Sequence, residues 1–212
     1  PRNGRTDAVF LVFMAAVVLT GAFRAIYPSP APGVRLEILG QLMWTRTGIL
    51  VMLWFRHMER TGFGFVPTRA EWVVGLRNYL YFLPVGLPLA LATGLVRFRP
   101  LPLEWWQALG VAAATFLGML WVVALGEEFF FRGVMQGGLT AWLGSRTAAL
   151  VVTSVAFGLV HLPFRGFPNW RFALVAGVAG LFYGRAFQQA GGIRAAMITH
   201  ALVNTTWRSF FT

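Results

Sequence analysis

Apolar residues occur in long, uninterrupted stretches along this chain, separated by short polar connections. A helix that crosses a bilayer needs about 20 apolar residues, and the stretches lack the strict alternation of a β-barrel strand. They predict seven spans, at about 8–26, 38–55, 72–96, 105–126, 147–162, 171–188 and 193–211. We therefore expect an all-α, polytopic membrane helix bundle, with eight spans as the alternative count. No separate soluble segment is evident, so residues 1–212 are expected to form a single integral membrane domain.

The fourth stretch is longer than one span requires. No proline occurs between Trp105 and Gln136. A continuous helix of that length, at about 1.5 Å per residue, exceeds the ~30 Å hydrocarbon core of a bilayer. We expect this helix to tilt, to bend near Gly126 or to continue along the membrane surface.

The composition supports a membrane protein and argues against a nucleic-acid-binding protein. Charged residues make up 12% of the chain, whereas a soluble domain has about 25%. All 18 basic residues are arginine, and they are spread singly through the connections, with a net charge of +11. That distribution fits lipid headgroups better than a nucleic-acid-binding surface. The absence of cysteine excludes disulfides and thiol chemistry.

The arginines between the predicted spans also indicate an orientation. With a cytoplasmic N-terminus, slightly more arginines fall on the cytoplasmic side, as the positive-inside rule requires. The cytoplasmic set is Arg2, Arg5, Arg56, Arg60 and Arg69, and the opposite set is Arg24, Arg35, Arg97 and Arg99. The arginine-only, tryptophan-rich composition is typical of a GC-rich bacterial genome. We therefore expect the inner membrane of a bacterium.

Charged residues inside an apolar helix are costly in a bilayer and are candidates for function. Glu127, Glu128 and Arg132 lie at the end of the fourth apolar run. Glu128 and Arg132 are one helical turn apart with the acid first, which favours an ion pair. Glu127 points about 100° away and has no local partner, as expected of a general base. The alternative is a salt-bridged helix end at the membrane surface.

Two later apolar stretches contain the other candidate residues. His161 follows Phe157 by one turn, and a helix is expected to end just beyond it at Pro163. His200 and Asn204 are also one turn apart, so they can direct two hydrogen-bond donors at one point. Together with Glu127, these residues could hydrolyse an amide through activated water. Each group alone is equally typical of interfacial residues or of hydrogen bonds between membrane helices.

The remaining unusual positions are expected to be structural. Arg46 lies in the middle of the predicted second span. The alternatives are that its side chain extends to the membrane surface, that it pairs with a glutamate, or that the predicted ends of this span are wrong. Gly133 and Gly137, like Gly180 and Gly184, are small residues four apart. Such pairs allow close helix packing, which we expect within one chain rather than between two.

The three motifs occur in one order along the chain: EExxxR (Glu127, Glu128, Arg132), FxxxH (Phe157, His161) and HxxxN (His200, Asn204). Together with the segment GRAFQQAGGIRAAMITHALVN, they resemble the CAAX-protease and bacteriocin-processing family of intramembrane endopeptidases. This family, also called Abi or CPBP, includes the type II CAAX prenyl endopeptidases. The resemblance covers about residues 105–208, the expected catalytic core.

The resemblance implies an α-helical membrane endopeptidase that acts on a membrane-anchored peptide or protein. Carried over by position, Glu127 would be the base, and His161 would help to activate water. His200 and Asn204 would form the oxyanion hole. The supporting residues would be Glu128, Arg132 and Phe157.

The resemblance also implies a glutamate-dependent mechanism without a metal. The chain has no HExxH motif, in which two histidines one turn apart bind zinc. Glu127, His161 and His200 could nevertheless hold a zinc ion with an open coordination position. Zinc therefore stays the alternative.

Two other functional classes can contain similar residues. A non-catalytic membrane scaffold or partner-binding subunit could retain the protease fold, although the complete set of four catalytic-type residues argues against it. A transporter or proton relay also needs intramembrane glutamate and histidine, but it predicts paired repeats with broken helices. No such repeat is evident in the sequence.

Overall fold

The computed structural model describes residues 4–32, 34–58 and 61–211, and these residues form helices and loops without a strand. An isolated antiparallel bridge joins Phe98 to Phe211. The helices of this described part are α1 (Gly4–Leu19), α2 (Ala22–Ile26), α3 (Glu37–Phe55), α4 (Arg69–Ala92), α5 (Trp105–Leu143), α6 (Arg146–Leu159), α7 (Trp170–Ala190) and α8 (Ile193–Phe210). The predicted all-α class is confirmed for these residues.

Three of these helices, α3, α4 and α5, are long and apolar enough to cross a membrane, and α6 is apolar but shorter. All seven predicted stretches coincide with helices. The first is broken into α1 and α2 at Gly21, which adopts a left-handed backbone with φ 71°. Because three of the described helices meet the length and hydropathy of a span, the count of seven is not confirmed.

Helix α5 has 39 residues, which corresponds to about 58 Å of helix. Two π-helical segments, Met119–Ala124 and Phe129–Gln136, flank the short α-helical segment Leu125–Glu128. Segments of π-helix interrupt regular helix geometry and are frequent at functional sites. The helix therefore departs from regular geometry on both sides of the two glutamates, close to the predicted bend at Gly126.

The chain divides into two compact units, one up to residue 59 and one from residue 60. In the first unit, α1 packs on α3 through an edge-to-face contact of Phe13 with Trp44, with ring centroids 5.4 Å apart. Arg56 Nε donates to Asp7 Oδ1 at 2.6 Å. Arg46 is half-buried in the middle of α3. The single membrane domain expected from the sequence stays a prediction.

In the second unit, α4, α7 and α8 pack against one another, and α6 lies along α7. Helix α4 begins with a capping box, in which Thr68 N donates to Glu71 Oε2 at 2.7 Å and Glu71 N donates to Thr68 Oγ1 at 3.3 Å. Arg194 Nε also donates to Glu71 Oε1, at 2.9 Å. The start of α4 is thereby fixed to the start of α8, the helix that contributes His200.

Candidate active site

One face of α5 presents a row of buried polar side chains, Glu128, Arg132 and Gln136, each one turn from the next. Arg132 Nη1 donates to Glu128 Oε1 at 3.3 Å, and Arg132 Nε lies 3.2 Å from Glu128 Oε2. Neither side chain of this pair is exposed. The ion pair predicted from the spacing therefore forms, and it lies in the interior rather than at an exposed helix end.

The same row of side chains binds the backbone of α7. Arg132 Nη2 donates to the Gly180 carbonyl at 3.1 Å, and Gln136 Nε2 donates to the Gly184 carbonyl at 3.2 Å. A Cβ at Gly184 would lie 2.5 Å from Gln136 Oε1, and one at Gly180 would lie 3.2 Å from Arg132 Nη2. The two glycines are needed for this approach, as expected for close helix packing within one chain.

Helix α8 places His200 between the two glutamates. His200 Nδ1 lies 2.7 Å from Glu128 Oε1, and His200 Nε2 lies 3.9 Å from Glu127 Oε2. The His200 side chain is 4% exposed, whereas that of Glu127 is 37% exposed. An ionised carboxylate can only accept a hydrogen bond, so the proton of the short contact belongs to Nδ1. His200 therefore lies near Glu127, as the proposed grouping requires, but its closer partner is Glu128.

Aromatic rings fix the orientation of both histidines. Tyr183 stacks on His200 with centroids 4.6 Å apart and planes 13° apart. Phe157 meets the His200 ring at 90° and 5.9 Å, and it lies 4.8 Å from the His161 ring. The Arg132 guanidinium lies 4.4 Å from the Phe157 centroid. Phe157 therefore contacts the cation and both histidines, which explains structurally why it stands in this constellation.

His161 lies in a turn just beyond the end of α6, not inside the helix as the sequence predicted. Its backbone N–H donates to the Gly158 carbonyl at 2.9 Å, three residues earlier, so the last turn is tighter than an α-helical turn. Pro163 disfavours helical geometry at the residue before it, which is consistent with the helix ending here. His161 Nδ1 lies 2.6 Å from the Phe157 carbonyl oxygen. The His161 ring also meets the Phe172 ring, with centroids 4.7 Å apart.

Asn204 lies on α8, one turn beyond His200, and is half-buried. Within the described residues, its side chain has no hydrogen-bond partner. The structure thus places His200 3.9 Å from Glu127 and sets both histidines against the Phe157 ring. Among the described residues, the Asn204 amide has no partner that would prevent it from binding a ligand. The catalytic roles assigned to these four residues stay predictions.

Sequence reasoning did not single out Gln136 or Tyr183. Gln136 continues the spacing of Glu128 and Arg132 by one further turn, so extending that pattern would have found it. Tyr183 is one of only four tyrosines and directly precedes the motif-like segment that begins at Gly184. Its contact with His200 joins two different helices, and no spacing within one helix indicates such a contact.

Among the described residues, no group of three His, Asp or Glu side chains is arranged to hold a metal ion. His161 and His200 each direct Nδ1 at a protein oxygen, so only their Nε2 atoms are available to a ligand. A mechanism without a metal nevertheless stays a prediction.

Residues 108–206 match the model of a known family, described as type II CAAX prenyl endopeptidase Rce1-like. The match covers slightly less than half of the chain, and this segment is similar to the Rce1-like family. The family resemblance expected from the three motifs is thereby confirmed, and the Rce1-like segment contains every candidate residue. Comparison with curated proteins and with solved structures gave no match. Together with the long apolar helices, the Rce1-like match indicates an integral membrane protein and supports a protease of the CAAX class.

Proposed function

We propose that this protein is an intramembrane endopeptidase that hydrolyses a peptide bond in a membrane-anchored peptide or protein. The contrast between the two glutamates carries the proposal. Glu127 is 37% exposed, whereas Glu128 is fully buried against Arg132 and His200. A general base must reach both water and substrate, and Glu127 is the acid of this site with an exposed carboxylate.

The proposed reaction begins with a water molecule held between Glu127 and His161. Glu127 removes one proton as the water oxygen attacks the peptide carbonyl carbon. The resulting oxyanion accepts hydrogen bonds from the Asn204 amide and from His200 Nε2. When the C–N bond breaks, Glu127 transfers its proton to the leaving nitrogen. The products are a new carboxyl terminus and a new amino terminus.

The bond between His200 and Glu128 restricts what His200 can do. With its first proton on Nδ1, the ring has an N–H at Nε2 only as the doubly protonated imidazolium. A neutral ring would instead offer a lone pair at Nε2. The oxyanion role therefore assigns the imidazolium form to His200 during that step, with Glu128 as its counter-charge. Glu128 is a positioning residue in this scheme, because it acts through His200.

The location and orientation of the protein complete the proposal. We place it in the bacterial inner membrane with a cytoplasmic N-terminus, supported by the distribution of arginines between the apolar stretches. Reporter enzymes fused to the N-terminus and to the loop after α3 would measure this orientation. Activity of a periplasmic reporter at the N-terminus would contradict it.

Comparison of membrane proteomes tests the hydrolase directly. Cells that produce wild-type protein are expected to contain new protein termini that are absent with Glu127→Gln. One such protein, reconstituted with the purified enzyme in liposomes, should be cleaved at the same bond. Its prenylated and unprenylated forms should both be assayed, because the Rce1-like family implies a prenylated substrate. Identical termini in both cell types would favour the non-catalytic scaffold instead.

Chelation tests the part of the proposal that concerns metals. The cleavage rate should be unchanged by 1,10-phenanthroline, since Glu127 activates the water without a metal in this scheme. A loss of activity that added zinc restores would show that the reaction needs zinc and would contradict the metal-free scheme.

A further inference from the structure

A polar cavity lies at the end of the bundle where α4 ends and α7 begins. Its volume is about 410 Å³, and it is lined by Gly94, Leu95, Asn169 and the two arginines Arg165 and Arg171, among others. It shares no residue with the site around Glu127. Neither the three motifs nor the proposed hydrolysis gives this cavity a role.

The two guanidinium groups in this cavity have no carboxylate partner among the described residues. No ion pair joins Arg165 or Arg171 to an acid in the part of the chain that the structure describes. The sequence contains no Asp or Glu after Glu128. The guanidinium carbons instead face aromatic rings, Arg165 over Phe172 at 6.0 Å and Arg171 over Trp170 at 5.6 Å. Among the described residues, these two guanidinium groups therefore have no counter-charge.

Hydrogen bonds fix the loop that contributes Arg165. Asn169 N donates to the Leu162 carbonyl at 2.9 Å, and Asn169 Nδ2 donates to the Phe164 carbonyl at 3.1 Å. The side chain of Asn169 also accepts a hydrogen bond from Phe172 N at 3.0 Å. These hydrogen bonds hold the loop together at the N-terminal end of α7. They limit the movement of Arg165, which lies in the loop between Phe164 and Asn169.

The surroundings of the cavity indicate the depth at which it lies. Three aromatic side chains of the same loop and helix start are exposed: Phe164 at 43%, Phe167 at 78% and Trp170 at 56%. Exposed aromatic and basic residues at the ends of apolar helices are typical of the lipid headgroup level. The abundant anion at this level is the phosphodiester, and the planar guanidinium binds phosphate through two parallel hydrogen bonds.

We propose that this cavity binds the phosphate of an anionic phospholipid headgroup through Arg165 and Arg171. An anionic lipid fits better than a zwitterionic one, because neither guanidinium group has a counter-charge within the described part of the chain. The bound lipid would lie against the loop that begins at His161, since His161 and Arg165 both contact the Phe172 ring. The inference rests on the membrane location and does not depend on the proposed hydrolysis.

Calorimetric titration of the detergent-solubilised full chain tests this site. Dioctanoyl phosphatidylglycerol should bind saturably, dioctanoylglycerol should not bind, and inorganic phosphate should bind much more weakly. Equal binding of dioctanoylglycerol would show that the acyl chains alone are recognised, and equal affinity for inorganic phosphate would show a free-phosphate site. Either outcome overturns the proposal.

Variants of the two arginines make the test specific. Arg165→Asn combined with Arg171→Gln should weaken phosphatidylglycerol binding by at least about tenfold. Asparagine suits position 165, because the backbone there is left-handed with φ 59°. The double lysine variant keeps the charge but loses the planar fork, so intermediate affinity is expected.

Arg185→Gln is the matched control. Arg185 is an exposed arginine on the same helix, about 21 Å along it from Arg171, and its loss should leave binding unchanged. Equal weakening by this control would show a non-specific charge effect and would refute the site. Wild-type affinity in the Arg165→Asn, Arg171→Gln variant would refute a role for the guanidinium groups. If that variant does not fold and the double lysine variant does, wild-type affinity in the double lysine variant would refute the same role.

Discussion

The two faces of α5 place neighbouring glutamates in opposite environments. On one face, Glu128 is fully buried and is contacted by Arg132 and by His200 at 2.7 Å. On the other, Glu127 is 37% exposed, and its ion-pair contact with His200 is 3.9 Å long. A buried charge that is paired and hydrogen-bonded is fixed in geometry, whereas the exposed carboxylate can meet water. We therefore expect the first face to position the site and the second to be available for chemistry.

The largest expected effect is on activity, from Glu127→Gln. The substitution keeps the side-chain volume and removes the base, so the cleavage rate should fall by about 10²–10⁴-fold. The thermal unfolding temperature in detergent should stay unchanged, because the side chain is partly exposed and has no short ion pair. Cleavage in liposomes and thermal unfolding measure the two quantities. Retained cleavage would mean that another residue is the base.

Glu128→Gln should have the opposite signature, with a loss of stability of about 3–5 kcal/mol, because Arg132 would keep a buried charge without its counter-charge. Unfolding in mixed micelles measures this loss. Glu104→Gln is the control, since Glu104 is exposed at the start of α5. If the Glu128 variant were as stable as the Glu127 variant, the two glutamates would be equivalent and the contrast between the faces would be wrong.

Helical spacing predicted the different environments of Glu127 and Glu128 as far as these depend on contacts within α5. The four-residue separation of Glu128 and Arg132 was enough to pair them and to separate Glu127 from them. It could not show that His200 lies closer to Glu128, because that distance depends on how α8 packs. The same limit applies to Tyr183, which meets His200 from another helix.

The helices themselves were predictable to a similar degree. Every predicted apolar stretch coincides with helix, because apolar length alone identifies such segments. The break at Gly21 and the end of α6 before His161 were missed, since each depends on the local backbone at a glycine or before a proline. The polar residues in α7 and α8 lower their hydropathy, so the number of spans cannot be read from length and composition alone.

A smaller effect is expected where α6 crosses α7, since this crossing positions His161. A Cβ at Gly158 would lie 2.5 Å from the Ala173 carbonyl oxygen and 3.1 Å from Gly177 Cα. Both are backbone atoms, so Gly158→Ala should separate the helices and reduce stability by about 1–3 kcal/mol. Gly138→Ala is the control, because no atom lies within 4 Å of a Cβ there. Equal stability of the two variants in thermal unfolding would contradict this close crossing.

The smallest effect is expected at Tyr183, where the ring and the hydroxyl can be separated. Tyr183→Phe keeps the ring that stacks on His200 at 4.6 Å, whereas Tyr183→Leu removes it. If the ring face orients His200, the Phe variant should keep the wild-type rate. The Leu variant should lose about threefold to tenfold, mainly in kcat, which corresponds to the worth of an aromatic pair.

Steady-state kinetics of both variants in liposomes measure this difference, with thermal unfolding as the control for folding. A Phe variant as slow as the Leu variant would show that the hydroxyl carries the effect. Tyr183 would then act on substrate or water directly, and it would belong with Glu127 on the reactive face rather than with the buried side chains that position His200.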